Sequence, residues 1–153
     1  MKTTNRLLIL PVFLLLFLSE NSLSQELHTI TLYVNTSALV QDRDVNQYAN
    51  FGQEAGISNE DYTVLVNLND DIEWVGVSSS APDTDLVYIT KIKHDKKDKL
   101  LNSDEIDGEK VVKAKVTKGN SGDTEKYKLH FKIVSQTNPQ DETFKIDPVL
   151  KIK

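Results

Sequence analysis

Residues 126–133 alternate with a period of two: Tyr127, Leu129, Phe131 and Ile133 are separated by Lys126, Lys128, His130 and Lys132. Successive side chains of a strand leave opposite faces, so this pattern builds one apolar and one cationic face, whereas a helix stripe repeats every 3.6 residues. The same period recurs along the chain. Ile30, Leu32 and Val34 share one side of a first strand, and Tyr62, Val64, Val66 and Leu68 one side of a second. Ile72 and Trp74 begin a third after the Asn69-Asp70-Asp71 turn, which predicts a hairpin between the second and third. Leu86 to Lys93 reads as a fourth strand covered on both faces, since Leu86 and Tyr88 oppose Val87 and Ile89. In the fifth, Lys110 to Thr117, Val112, Ala114 and Val116 alternate with lysines. The Lys118–Asp123 turn delivers the sixth strand, 127–133, and a turn around Asn138-Pro139 the seventh, where Phe144, Ile146, Leu150 and Ile152 flank Pro148. Pro148 has no N–H to give a ladder and is expected at an edge or a bulge. Seven short strands without a convincing amphipathic helix predict an all-β fold: a seven-stranded antiparallel two-sheet sandwich.

The first 24 residues are different in kind. Lys2 and Arg6 precede an apolar run from Leu7 to Leu18, followed by a polar segment ending Ser22-Leu23-Ser24. Twelve helical residues cover about 18 Å, short of the roughly 30 Å hydrocarbon core, so the run reads as a secretory signal peptide cleaved near Ser24–Gln25. The expected mature chain, residues 25–153, is one domain, secreted or periplasmic, with no second run of membrane-spanning length. It contains no cysteine. Stability must then come from packing, and thiolate catalysis, Fe–S clusters and lipid attachment to cysteine are excluded.

Charge divides unevenly. Residues 25–90 carry 11 acidic side chains and one basic, Arg43; residues 91–153 carry 15 lysines and 11 acids. The lysines sit at alternating strand positions, as on solvated sheet faces, and the basic half has no Arg, so nucleic acid is not an expected partner.

Two long connections stand out, 35–61 and 95–109, and Ala38 to Gln53 can hold one short helix. Asp42-Arg43-Asp44-Val45-Asn46 matches the first three ligand positions of a calcium loop: Asp42, Asp44 and Asn46. The sixth position is Gln47 instead of Gly and the twelfth Gln53 instead of Glu, although Glu54 follows. No cofactor is expected, and calcium is the one ion that these loops could hold. His28, His94 and His130 would form a metal site only if their strands converged on one face. Ser78-Ser79-Ser80 lacks the Gly-x-Ser-x-Gly elbow, and nothing selects a catalytic pair among the many carboxylates. Asn35-Thr36-Ser37 is a glycosylation sequon.

Asp123-Thr124-Glu125-Lys126-Tyr127-Lys128-Leu129 resembles the turn and strand of immunoglobulin-like domains, with Leu129 in place of Cys. That resemblance implies a Tyr127 hydroxyl bonded to upstream backbone and Trp74 as the core aromatic of an earlier strand. Ile72-Glu73-Trp74-Val75 followed by Tyr127–Phe131 also resembles a cupredoxin sandwich, without its copper ligands. Asn50-Phe51-Gly52-Gln53, residues 57–62, residues 73–78 and Phe144-Lys145-Ile146-Asp147-Pro148 resemble uncharacterised secreted bacterial proteins, which implies an exported domain and no activity.

The reading that follows is an exported, monomeric or weakly associating, non-catalytic binding or structural module. Its partner would be an extracellular protein, glycan or small ligand, met by the 35–61 and 78–85 loops at one end of the sandwich. The alternatives are an extracellular calcium-dependent protein using its acidic loops and an assembly protein pairing through edge strands.

Overall fold

The computed structural model describes residues 25–94, 100–135 and 142–153. The expected signal peptide, the turn at Asn138-Pro139 and the first part of the 95–109 loop lie outside the described residues. Among the described residues the order is β1 (Leu27–Val34), α1 (Thr36–Asp42), α2 (Val45–Tyr48), β2 (Ala49–Asn50), β3 (Thr63–Val66), β4 (Asp71–Ser78), β5 (Asp85–His94), β6 (Glu105–Asp107), β7 (Val112–Lys115), β8 (Thr124–Ser135), β9 (Glu142–Ile146) and β10 (Val149–Ile152). None of these helices is long and apolar enough to cross a membrane.

The fold is all-β, as the alternation requires, but the ten strands among the described residues form two mixed sheets and not seven antiparallel strands. One sheet runs β2-β1-β4-β7; the other runs β3-β10-β8-β5-β6, with β9 also beside β8. β1 and β4 are parallel, from Leu27 opposite Asp71 to Val34 opposite Ser78, and β10 and β3 are parallel, from Val149 opposite Thr63 to Ile152 opposite Val66.

The expected hairpin between the second and third strands does not form, because β3 and β4 belong to different sheets. The connecting turn explains the separation. Asn69 takes a left-handed conformation (φ 74°), and the buried Asp70 carboxylate accepts the Asn67 N–H at 2.7 Å and the Glu26 N–H at 3.1 Å. Asp70 therefore ties the turn to the entry of β1, and β4 continues alongside β1 instead of folding back on β3. Burial opposes ionisation of Asp70, but donation from Asn67, His28 and Glu26 outweighs it and holds the carboxyl below its usual range.

The single helix expected over 38–53 is two short ones, and local caps divide them. The Asn35 side chain accepts from the Ala38 N–H at the start of α1, Arg43 ends it in a left-handed conformation, and Asp44 caps α2. Pro148 falls in the break between β9 and β10, which run along β8 in one continuous register, Ile146 opposite Leu129 and Val149 opposite Lys126, so the expected bulge is absent there. The ladder loses a donor at Pro148, while its carbonyl still accepts from Tyr127 N–H at 3.1 Å.

Inward positions of both sheets make one core, centred on Trp74 of β4 and Tyr127 of β8. Their rings meet edge to face with centroids 5.6 Å apart, and the indole N–H donates to the Tyr127 hydroxyl at 2.9 Å. That partner replaces the upstream backbone group implied by the immunoglobulin resemblance. Burial pushes the Tyr127 hydroxyl pKa far up, so the phenol stays neutral.

Gly76 occupies an inward position of β4 opposite Leu32. A Cβ there would lie 2.5 Å from Val87 Cγ1 and 2.6 Å from the Val87 carbonyl oxygen, so glycine lets β4 approach β5 where the two sheets converge. Gly76→Ala is expected to lower stability by about 1–3 kcal/mol through overpacking, read as a fall in the urea midpoint at unchanged slope. An unchanged midpoint would mean that the approach is not held in solution.

Candidate functional site

At the end of the sandwich where β1 and β4 finish, a hydrogen-bonded relay joins the two loops singled out from the sequence. Thr36, the first residue of α1, donates its hydroxyl to Asp85 Oδ2 at 2.7 Å. That uses its one proton, so the Ser78 hydroxyl at 2.8 Å and the Ser80 hydroxyl at 3.1 Å must donate to Thr36 Oγ1. Ser78 and Ser80 accept in turn from the backbone N–H groups of Ala81 and Ser37. The other carboxylate oxygen of Asp85 accepts from Ser135 Oγ at 2.6 Å, at the end of β8. Every donor points toward one buried carboxylate, so the relay has a single direction. Burial penalises ionised Asp85, but the hydroxyls of Ser135, Thr36 and Thr84 more than offset it and hold the carboxyl below its usual range.

Above this relay lies an apolar shelf. Tyr33 and Val77 are paired neighbours on the outer face of β1 and β4, each 40% exposed, and Leu86 of β5 is 49% exposed. Val75, Pro82 and Tyr88 line the same shallow groove with Val77 and Leu86. The fourth strand is thus open on its outer face, contrary to the expectation that both faces are covered. Lys110 and Lys132 place their ammonium groups 5.5 and 5.7 Å from the Tyr88 ring centroid. The shelf therefore offers aliphatic and aromatic contact area edged by positive charge, on a base fixed by the relay.

The calcium-loop residues have local roles. Asp42 accepts from the Tyr48 hydroxyl at 3.1 Å, Asp44 Oδ1 accepts from the Asn46 and Gln47 N–H groups at 3.0 and 3.2 Å, and Asn46 lies within α2. The acidic spacing of this stretch also reads as a helix cap, since Asp at an N-cap accepts from the second and third residues onward. The three histidines do not converge. His28 meets Asp70, His94 is buried with Nδ1 2.7 Å from Glu125 Oε1, and half-buried His130 has its pKa lowered by burial and by Lys91, Lys145 and Lys93. Sequence reasoning missed Asp85 and Thr36 as partners. The available signal was a Ser/Thr run at a strand end followed by an Asp opening the next strand.

No family model matches the chain, and no curated protein matches it. Among solved structures it is similar to an inclusion body protein, PixA, from Burkholderia cenocepacia J2315, with a TM-score of 0.59 and 9% identity over 87% of this chain and 99% of that one. At that identity the likeness establishes a shared all-β fold.

Proposed function

We propose that the chain is an exported, non-catalytic β-sandwich, immunoglobulin-like or cupredoxin-like in scaffold, that binds an extracellular protein, glycan or small ligand on the Tyr33–Val77–Leu86 shelf. The observation that carries this reading is three large apolar side chains left 40–49% exposed side by side, over loops locked by the Asp85 relay. A rigid base lowers the ordering cost of binding, and aromatic surface edged by cations suits recognition more than turnover. Export is supported by the Lys2/Arg6 and Leu7–Leu18 pattern. Assembly through sheet edges is less well supported, although the structural neighbour is named as an inclusion body protein. The strands that end the two sheet orders, β2, β3, β6 and β7, are two to four residues long, and β9, paired with β8 alone, is five, so each offers a short ladder to a second chain.

The test is a glycan, metal and small-ligand panel read by thermal shift, joined to capture of extracellular proteins. One ligand class is expected to raise Tm by several degrees. The double variant Val77→Asp/Leu86→Asp is expected to lose that shift while unfolding near the parent temperature, because both side chains already face solvent. Full binding by the double variant would remove the shelf from consideration. Concentration-dependent oligomers without ligand binding would favour assembly.

A further inference from the structure

We propose that Glu26, His28 and Asp70 form a binding site for a borderline divalent transition metal of the zinc class, at the opposite end of β1 from the shelf. One ligand atom from each of the three residues lies within 4.8 Å of the other two. His28 Nε2 is 2.8 Å from Asp70 Oδ2 and 3.9 Å from Glu26 Oε2. Metal–ligand bonds of about 2.0–2.2 Å in a tetrahedral set put donor atoms roughly 3.3–3.6 Å apart. To seat the ion the first distance must open and the second close, each by less than about 1 Å, and the Glu26–Asp70 separation, which lies within 4.8 Å, must come to the same range. In chemical terms the metal replaces the proton shared between the imidazole and the buried carboxylate.

The parallel register builds this arrangement. Glu26 and His28 are two apart, so they project to the same side of the chain entering β1, and the pairing of Leu27 with Asp71 sets Asp70 beside Glu26. The Asp71 N–H donates to the Glu26 carbonyl at 2.9 Å and fixes the two chains at this point. Asp70 is oriented from behind: its Oδ1 accepts from Glu26 N–H, and its Oδ2 from the Asn67 backbone N–H and, at 3.2 Å, from Asn67 Nδ2. Such supporting hydrogen bonds hold a ligating carboxylate in place and cut the ordering cost of capture. The side chain of Asp70 is 1% exposed, that of His28 14% and that of Glu26 60%, so the pocket is closed at its base and open at the Glu26 side. Three protein ligands with an open fourth position taken by water is the coordination zinc accepts readily. One imidazole nitrogen and two carboxylates are too few oxygens for a calcium cage and the wrong donor set for magnesium. The site is independent of the shelf, so ligand binding there and metal binding here can fail separately.

The purified protein, stripped with chelator, is titrated with zinc chloride by calorimetry, and with cobalt(II) as a visible reporter of coordination geometry. The expected result is one equivalent of zinc, the intense absorption of a low-coordinate cobalt ion, and a rise in Tm of several degrees. His28→Ala and Glu26→Gln are each expected to weaken zinc binding at least tenfold. Glu26→Gln is the decisive variant, because its side chain is exposed and its metal-free Tm should match the parent. No zinc heat at tens of micromolar metal would overturn the proposal, as would unchanged affinity in both variants or calcium competing on equal terms.

Discussion

Trp74→Ala is expected to lower the free energy of unfolding by about 3–5 kcal/mol. Trp74 is fully buried, and its ring joins the inward face of β4 to Tyr127 on the facing sheet. Truncation opens a cavity at the centre of the core and also leaves the Tyr127 hydroxyl without the indole donor, 2.9 Å away in the native protein. The two costs can be separated. Trp74→Phe keeps most of the volume but abandons the buried phenol, which alone costs about 1–3 kcal/mol. Urea unfolding followed by far-ultraviolet circular dichroism measures both. A Trp74→Phe variant as stable as the parent would show that the phenol finds another partner, and a mild Trp74→Ala would show that the sheets close over the gap.

Asp85→Ala is expected to cost about 3 kcal/mol, since hydrogen bonds to an ionised group contribute about 1.5–3 kcal/mol each and the abandoned hydroxyls stay buried. Thr36 and Ser135 lose their acceptor, so α1 and the end of β8 lose their common anchor to β5. The same carboxylate gives the protein an acid limit. Its folded pKa lies below the unfolded value, so its stabilisation is fully present above the ordinary aspartate range, near pH 4, and is lost as pH falls through the folded value. Stability should then fall by up to about 1.4 kcal/mol per pH unit in that window, and less steeply in Asp85→Asn. Equal acid slopes for parent and Asp85→Asn would assign the acid sensitivity to other groups.

The inward residues were legible because period two assigns a side chain to a face without knowledge of any partner. Ile30, Leu32, Val34, Ile72, Trp74, Val112, Val116, Leu129 and Phe131 are all buried. Pairing was not legible in the same way. Whether β4 folds back on β3 or runs parallel to β1 depends on Asp70 reaching Glu26 and His28, more than 40 positions away. Alternation carries no such information. Leu68 and Leu86 show the other limit: both fit an apolar face, yet they are 38% and 49% exposed, because Leu68 lies past the end of β3 and Leu86 points to the outer face of β5. At Asp42–Asn46 the pattern was visible but chemically ambiguous, since a carboxylate placed to meet a cation is equally placed to meet the N–H groups of its own helix. The Asp85 relay was hardest to foresee, because its partners come from four segments and none is unusual alone.

The chain has one tryptophan, and it is the residue that bridges the sheets. Its fluorescence is therefore a single-site optical gauge of the gap between the two layers, uncontaminated by any second indole. Solvation of Trp74 requires the layers to part, so a red shift in emission reports that event directly. Loosening confined to the shelf or to the entry of β1 would leave the emission unmoved. Comparing its time course with that of circular dichroism would tell whether the layers separate before, or together with, the loss of strand hydrogen bonds.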